Sequence, residues 1–337
     1  MKIREYLKLA RSFNAVLTGI SPVMGAIAMQ QYDLSILFLL FLVGFLGHTY
    51  GFVLNDIVDY KIDKSSKEIK DRPLISGTIS LKNAKLFAYF SLSGSLIVGL
   101  FLAYITQIYF PVIILLISGF FITIYNLISK KYPFTDIFVS LGIFFLILYG
   151  SFTVEGTFSS LTNWVWFICL AGSIQTLFMQ IVAGGMKDVE NDFKKGAHTL
   201  AIQLGVRITN GKLNVSAGFK ALAFGIQLFN VIVVLLPFFV LLDIRSPSLL
   251  NIFQWFGIGI TSFLMFYLSY RLLFMKEFDR MKARKFIGSH YITNFALAPI
   301  LLMALTPWAG VIIFFPALGF VFSNVVLHGT ILQPKTM

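Results

Sequence analysis

Long apolar runs separated by short polar connections set the pattern of this chain. Ten windows, 13–31, 35–54, 84–105, 108–128, 134–153, 163–186, 218–242, 250–274, 287–306 and 309–328, are almost free of charge. Each approaches the roughly 20 residues that an α-helix needs to cross a hydrocarbon core. The first window contains Pro22 and several Gly and has no small-residue cleavage site behind a short apolar core, so it reads as a retained helix and not a cleaved leader. The pattern predicts an all-α, polytopic transmembrane helical bundle forming a single membrane domain over 1–337. Two polar segments, 55–82 and 187–216, interrupt it on one side of the membrane.

Composition agrees. Hydrophobic residues make up 57% of the 337 positions, charged residues only 12%, and 37 residues are Phe; mean hydropathy is +0.83. These values exclude an ordinary soluble domain. Of the 27 Lys and Arg, only Arg245 falls on a connection of the outer set, which places both termini and the two polar segments in the cytoplasm of a cell-membrane protein. The net charge of +12 could suggest nucleic acid, but the basic residues are scattered among membrane loops that face an anionic leaflet, so membrane lipids are the expected contact. Trp164, Trp166, Trp255 and Trp308 fall near outer boundaries, as interfacial anchors do. The single Cys169 excludes an intrachain disulfide, and the four His show no paired ligand spacing.

The acidic residues are not scattered. Asp56, Asp59, Asp63, Glu68 and Asp71 lie in one segment and Asp188, Glu190 and Asp192 in another, which is eight of the fifteen. If the second helix continues past Asn55, Asp56, Asp59 and Asp63 fall within an arc of about 60°. Asp188 and Asp192, at i and i+4, also share a face. Interleaved Lys61, Lys64, Lys67 and Lys70 allow a plainer reading as solvated helix-surface pairs, each worth a few tenths of a kcal/mol. Like charges on one face repel, however, and a divalent cation is the natural compensation; hard carboxylate oxygens suit Mg²⁺, which also accepts phosphate oxygens as ligands. Arg72, Lys130 and Lys187 all lie at inner helix ends and could hold the outer oxygens of a diphosphate. Arg11 and Asn14 could reach the same head group, or serve as a topogenic charge and a helix cap.

These segments resemble the aspartate-rich motifs of the UbiA-type intramembrane prenyltransferases. The first stands here as NDIVDYKID followed by DRPLISG, the second as KDVENDFKKGAHTLAIQLG, with YNLISKKYP and ARSFNAV as further matches. The resemblance implies nine helices around a central cavity, so that 309–328 is either an added C-terminal helix or the product of dividing the end of the chain wrongly. It implies transfer of an isoprenyl group from a polyprenyl diphosphate donor, with Mg²⁺ held by Asp56, Asp59, Asp63, Asp188 and Asp192. Asn55 would add a ligand or hydrogen bond, Arg72, Lys130 and Lys187 would clamp the leaving group, and Tyr125 and Tyr149 would shelter an allylic cation. The acceptor would be a quinone-precursor aromatic or an isoprenoid glyceryl phosphate.

Motifs at helix ends suit such a substrate: each CH₂ of the donor tail gains about 0.8 kcal/mol in the apolar phase, while its charged head stays near water. Segments 64–82 and 193–216 are expected to form short helices over the cavity mouth. Gly184 and Gly185 are expected to permit close packing, and His198 to be a loop residue. The competing class is a secondary transporter, but the windows keep their interiors nearly free of the midplane charges that transporters carry.

Overall fold

The computed structural model describes residues 2–64, 69–194, 196–209, 211–242 and 248–331. Arg245, Lys67 and Glu68, which figured in the charge analysis, lie outside the described residues. The helices are α1 (Lys2–Leu9), α2 (Ser12–Ala28), α3 (Leu34–Val58), α4 (Tyr60–Asp63), α5 (Leu81–Thr106), α6 (Phe110–Ile128) and α7 (Asp136–Phe152) in the first half. They are followed by α8 (Asn163–Phe178), α9 (Gly185–Lys194), α10 (Leu200–Gln203), α11 (Ala217–Val240), α12 (Leu249–Leu273), α13 (Arg280–Leu302) and α14 (Phe314–His328). A π-helical turn, Met179–Gly184, joins α8 to α9, and a 3₁₀ segment, Pro307–Ile313, leads into α14.

All ten apolar windows are helical. Among the described residues, seven helical segments are long and apolar enough to cross a membrane, and Ser12–Ala28 and Asp136–Phe152 are shorter apolar helices. The window 287–306 belongs to α13, which begins earlier, at Arg280, and carries basic residues on its first turns. Large side chains such as Phe239, Phe253, Phe256, Phe263 and Phe322 point outward, while Gln175, Gln227, Asn294 and Asn324 are buried. This reversal is what a lipid solvent requires: apolar groups face hydrocarbon, and polar groups must find partners inside.

The chain forms two compact units, Met1–Leu127 with Phe145–Thr162 and Phe315–Met337, and Ile128–Phe144 with Asn163–Phe314. In the first unit, α2 is the hub. A Cβ on Gly25 would collide with the Ile147 carbonyl oxygen, and one on Gly150 with the Pro22 carbonyl oxygen, so α2 and α7 meet backbone to backbone. The Ser151 hydroxyl donates to the Gly25 carbonyl at 2.9 Å across the same crossing. Small residues allow this approach where no hydrophobic effect drives helices together. On another side of α2, α14 docks through Phe320 edge-on to Phe13 at 5.9 Å and Gly319 against Val16, and Arg4 donates to the Leu327 carbonyl at 3.0 Å. The tenth window is thus a packed helix of this unit.

The second unit is built from α8, α11, α12 and α13, with a small extramembrane cap. Here the expectation of short helices over 193–216 needs correction. Only α10 is helical; Arg207–Thr209 (β1) and Lys212–Asn214 (β2) form an antiparallel hairpin, Ile208 opposite Leu213. Leu213 N donates to the Lys276 carbonyl and Phe278 N to the Gly211 carbonyl, so the hairpin edge is tied to the segment before α13. The sequence Asn210-Gly211 is the signal for such a turn, and Gly211 has φ +74°, where a Cβ would be strained. In 64–82, residues 70–79 form a series of turns and bends, and α5 begins at Leu81.

Candidate active site

Two carboxylate clusters stand out, one in each unit. In the first, α3 does not run through the motif as the sequence suggested. It ends at Val58, Asp59 is its C-cap, and α4 follows at once. The hydrogen bonds nevertheless stay helical, Asp59 N to the Asn55 carbonyl at 2.9 Å and Asp63 N to the Asp59 carbonyl at 2.8 Å. The common face therefore survives: Asp56, Asp59 and Asp63 are all buried, while Val58, Lys61 and Lys64 are exposed.

Two arginines meet these acids. The Arg11 Nη2 donates to Asp56 Oδ1 at 2.8 Å, and Arg72 Nη1 donates to Asp63 Oδ2 at 2.8 Å and lies 3.6 Å from Asp56 Oδ1. Each arginine is delivered by a fixed local device. Arg11 sits between α1 and α2 with φ 46° and ψ 48°, a left-handed conformation that costs a non-Gly residue about 1–2 kcal/mol. Packing of buried Leu9 and Ala10, and the Phe52 ring 4.9 Å from the guanidinium, hold it there. Arg72 opens a tight turn in which Ser76 N donates to the Arg72 carbonyl and Thr78 Oγ1 to the Pro73 carbonyl, with Gly77 at φ +75°. Leu9, Val53, Leu74, Ile79, Ala84 and Ala88 form one apolar cluster, which pins α1 and this turn to α3 and α5.

Asn14 is buried on the first turn of α2, and its backbone N donates to the Arg11 carbonyl. Asn55 is half-buried one residue before Asp56. Tyr125 is half-buried on α6. Tyr149 is fully buried near the far end of α7, with its hydroxyl against Gly99 of α5 and no hydrogen-bond partner among the described residues. Gly99 lies towards the end of α5 remote from Leu81, so Tyr149 belongs to helix packing away from the acidic tip.

In the second unit, the π turn precedes α9, and such insertions are frequent at functional sites because they re-aim the following residues. Gly185 begins α9, and a Cβ there would lie 2.7 Å from Ala201 Cβ. It permits close packing, as expected; Gly184 has only ordinary contacts. Asp188 and Asp192 lie on α9 but take different partners. Lys187 Nζ is 3.3 Å and Arg280 Nη2 3.2 Å from Asp188, whereas Lys130 Nζ is 3.7 Å from Asp192. His198 is an exposed loop residue.

Arg280 escaped the sequence analysis, together with buried Arg284 one turn further along α13. The signal available was the basic run RMKARK just before the ninth window. Burial, and then the Arg284 charge beside it, bring Arg280 down to about 10, so it remains protonated at neutral pH and keeps its pair with Asp188.

Among the described residues, no three His, Cys, Asp or Glu converge as a ready-made metal cage. Asp56 and Asp63 instead converge on one Arg72 nitrogen. That arrangement fits Mg²⁺ binding all the same, because this ion is usually held by one or two carboxylates and completed by water and substrate phosphate.

Residues 15–287 match the UbiA prenyltransferase family. The chain belongs to this family, and it is an integral membrane prenyltransferase. It is 29% identical over 212 residues to the digeranylgeranylglyceryl phosphate synthase of Methanobrevibacter smithii, covering 61% of this chain and 71% of that protein. It is 31% identical over 214 residues to the synthase of the same name from Sulfolobus acidocaldarius, covering 62% and 72%. A solved structure from work on digeranylgeranylglyceryl phosphate synthase in membranes aligns with TM-score 0.60 at 25% identity over 92% of this chain and 99% of that one. A UbiA homolog from Archaeoglobus fulgidus bound to GPP and Mg²⁺ shares the fold, with TM-score 0.63 at 15% identity over 94% and 99%.

Proposed function

We propose that this protein transfers a polyprenyl group from an allylic diphosphate to an isoprenoid glyceryl phosphate, in a Mg²⁺-dependent reaction at the cytoplasmic ends of its helices. The observation that carries the proposal is the buried Arg11–Asp56–Arg72–Asp63 network at the end of α3, in a chain similar over most of its length to synthases of a glyceryl phosphate lipid. Nearly all basic residues fall on the side assigned to the cytoplasm, which supports the orientation.

Each acidic motif would hold Mg²⁺, the first through Asp56, Asp59 and Asp63 and the second through Asp188 and Asp192. Magnesium supplies Lewis-acid stabilisation of the charge that builds on the diphosphate. Arg11 and Arg72, released from their carboxylates, would bind diphosphate oxygens, with Asn55 and Asn14 beside them. Lys130, Lys187 and Arg280 would bring further positive charge to phosphate. As the allylic C–O bond breaks, its electron pair leaves with diphosphate; the acceptor hydroxyl oxygen bonds to the allylic carbon and gives up its proton. Arg280 and Arg284 favour an acceptor carrying its own phosphate over an aromatic quinone precursor, because a second anion needs cations beyond those spent on the donor.

The test uses the purified chain, geranylgeranyl diphosphate and Mg²⁺, with diphosphate release followed for each acceptor. Release that depends on a prenylated glyceryl phosphate is expected. Release with a hydroxybenzoate alone would overturn the acceptor assignment, and ion transport without release would favour a transporter. In the same assay Arg280→Gln is expected to lower kcat/KM about tenfold, the value of a hydrogen bond to a charged group. A loss confined to the apparent KM for the glyceryl phosphate would assign Arg280 to the acceptor.

A further inference from the structure

Away from both acidic clusters, the core of the second unit contains a layer of polar side chains in the middle of apolar helices. Gln227 of α11, Ser269 of α12 and His290 of α13 are fully buried and linked: Gln227 Nε2 donates to Ser269 Oγ at 2.5 Å, and Ser269 Oγ lies 3.3 Å from His290 Nε2. The His290 ring also packs on Phe178 of α8, at 5.1 Å. One turn further from the cytoplasmic ends come Gln175 of α8, Asn230 of α11 and Asn294 of α13. Successive spans alternate in direction, so the step from Phe178 back to Gln175 and the steps from Gln227 to Asn230 and from His290 to Asn294 all go the same way. All six residues are at most 2% exposed.

This layer is not satisfied by the protein. Both amide atoms of Gln175 and the Gln227 Oε1 and Asn230 Oδ1 oxygens find no hydrogen-bond partner among the described residues, while the His290 and Asn294 side chains hydrogen-bond each other. Four such groups together cost a large part of the net stability of a typical domain, and lipid cannot relieve them. Whatever relieves them is small, polar and neutral. None of the six side chains is a carboxylate, and the open positions are mostly amide oxygens, which accept hydrogen bonds from a neutral O–H donor. The geometry points to an internal hydration site, in which α8, α11, α12 and α13 enclose bound water held by Gln175, Gln227 and Asn230. The site is independent of the prenyl-transfer reading.

Radiolytic hydroxyl-radical labelling of the full-length protein in detergent micelles tests it, because radicals formed from bound water mark the side chains around that water. Phe178, Phe238 and Phe152 are equally buried, but Phe238 packs on Trp255 and Phe152 on Phe110 and Phe158. Phe178 is expected to label several-fold faster than the other two, with ¹⁸O incorporated from labelled water. Gln175→Leu with Asn230→Leu should bring Phe178 down to the Phe238 rate while leaving Phe152 unchanged. Equal labelling of the three phenylalanines in the unsubstituted protein sinks the proposal, whether or not the double variant folds, and undiminished Phe178 labelling in a folded double variant does the same.

Discussion

Asp56→Asn is expected to lower the rate of diphosphate release by about 100- to 1000-fold, the usual effect of removing one preorganised electrostatic contact to developing charge. The argument rests on what Asp56 joins. It receives Arg11 at 2.8 Å, has Arg72 at 3.6 Å, and is buried. Asn keeps the volume and one acceptor oxygen but removes the charge that would hold a divalent ion. The same change leaves two buried guanidinium groups with less negative charge, and breaking a buried pair costs about 3–5 kcal/mol. A lower thermal midpoint is therefore expected alongside the kinetic loss. The two effects separate in the Mg²⁺ dependence: a purely structural role lowers the amount of folded enzyme and leaves the Mg²⁺ concentration for half-maximal activity unchanged. A ligand role raises that concentration. An Asp56→Asn enzyme with unaltered rate and Mg²⁺ dependence would remove Asp56 from the site.

The second large effect concerns assembly. Gly150→Val is expected to prevent the first unit from forming, because its Cβ alone would occupy the position of the Pro22 carbonyl oxygen. That obstacle is backbone, and a helix held on its other sides by α3 and α14 has no simple retreat. Separating α2 from α7 also breaks the Ser151 bond to the Gly25 carbonyl. Overpacking a filled core costs about 1–3 kcal/mol where side chains can yield, and more is expected where they cannot. Gly225, whose Cβ position has nothing nearby, is the control. Gly225→Val should give a monodisperse detergent-solubilised protein on size-exclusion chromatography and Gly150→Val should not; equal behaviour of the two variants would refute the packing argument.

The elements that sequence reading located best are those whose cause is local. Each apolar window became a helix because a backbone in lipid must satisfy its hydrogen bonds within itself. The spacing of Asp56, Asp59 and Asp63 placed them on one face, and it did so even though α3 ends at Val58, since the Asp59 cap keeps a near-helical path. The hairpin at 207–214 was overlooked although Asn210-Gly211 announces it. Segment length had suggested helices there, and the turn chemistry prevailed. Other features had no local signal. Arg280 meets Asp188 across 92 positions of sequence, and Arg11 meets Asp56 across 45. Tyr149, offered by its type as a cation shelter, lies against Gly99, because helix packing and not residue chemistry decides which ring faces what.

From its sequence alone, then, this chain declares a membrane bundle, its family and the two acidic segments, because hydropathy, charge asymmetry and motif spacing are properties of consecutive residues. Tertiary structure alone decided which cation neutralises which carboxylate, that α2 and α7 touch through bare backbone, and that Gln227, Ser269 and His290 link three helices in the apolar core of the second unit. Those outcomes depend on where distant helices cross. A crossing is set by the shapes of many side chains at once, which no short stretch of sequence contains.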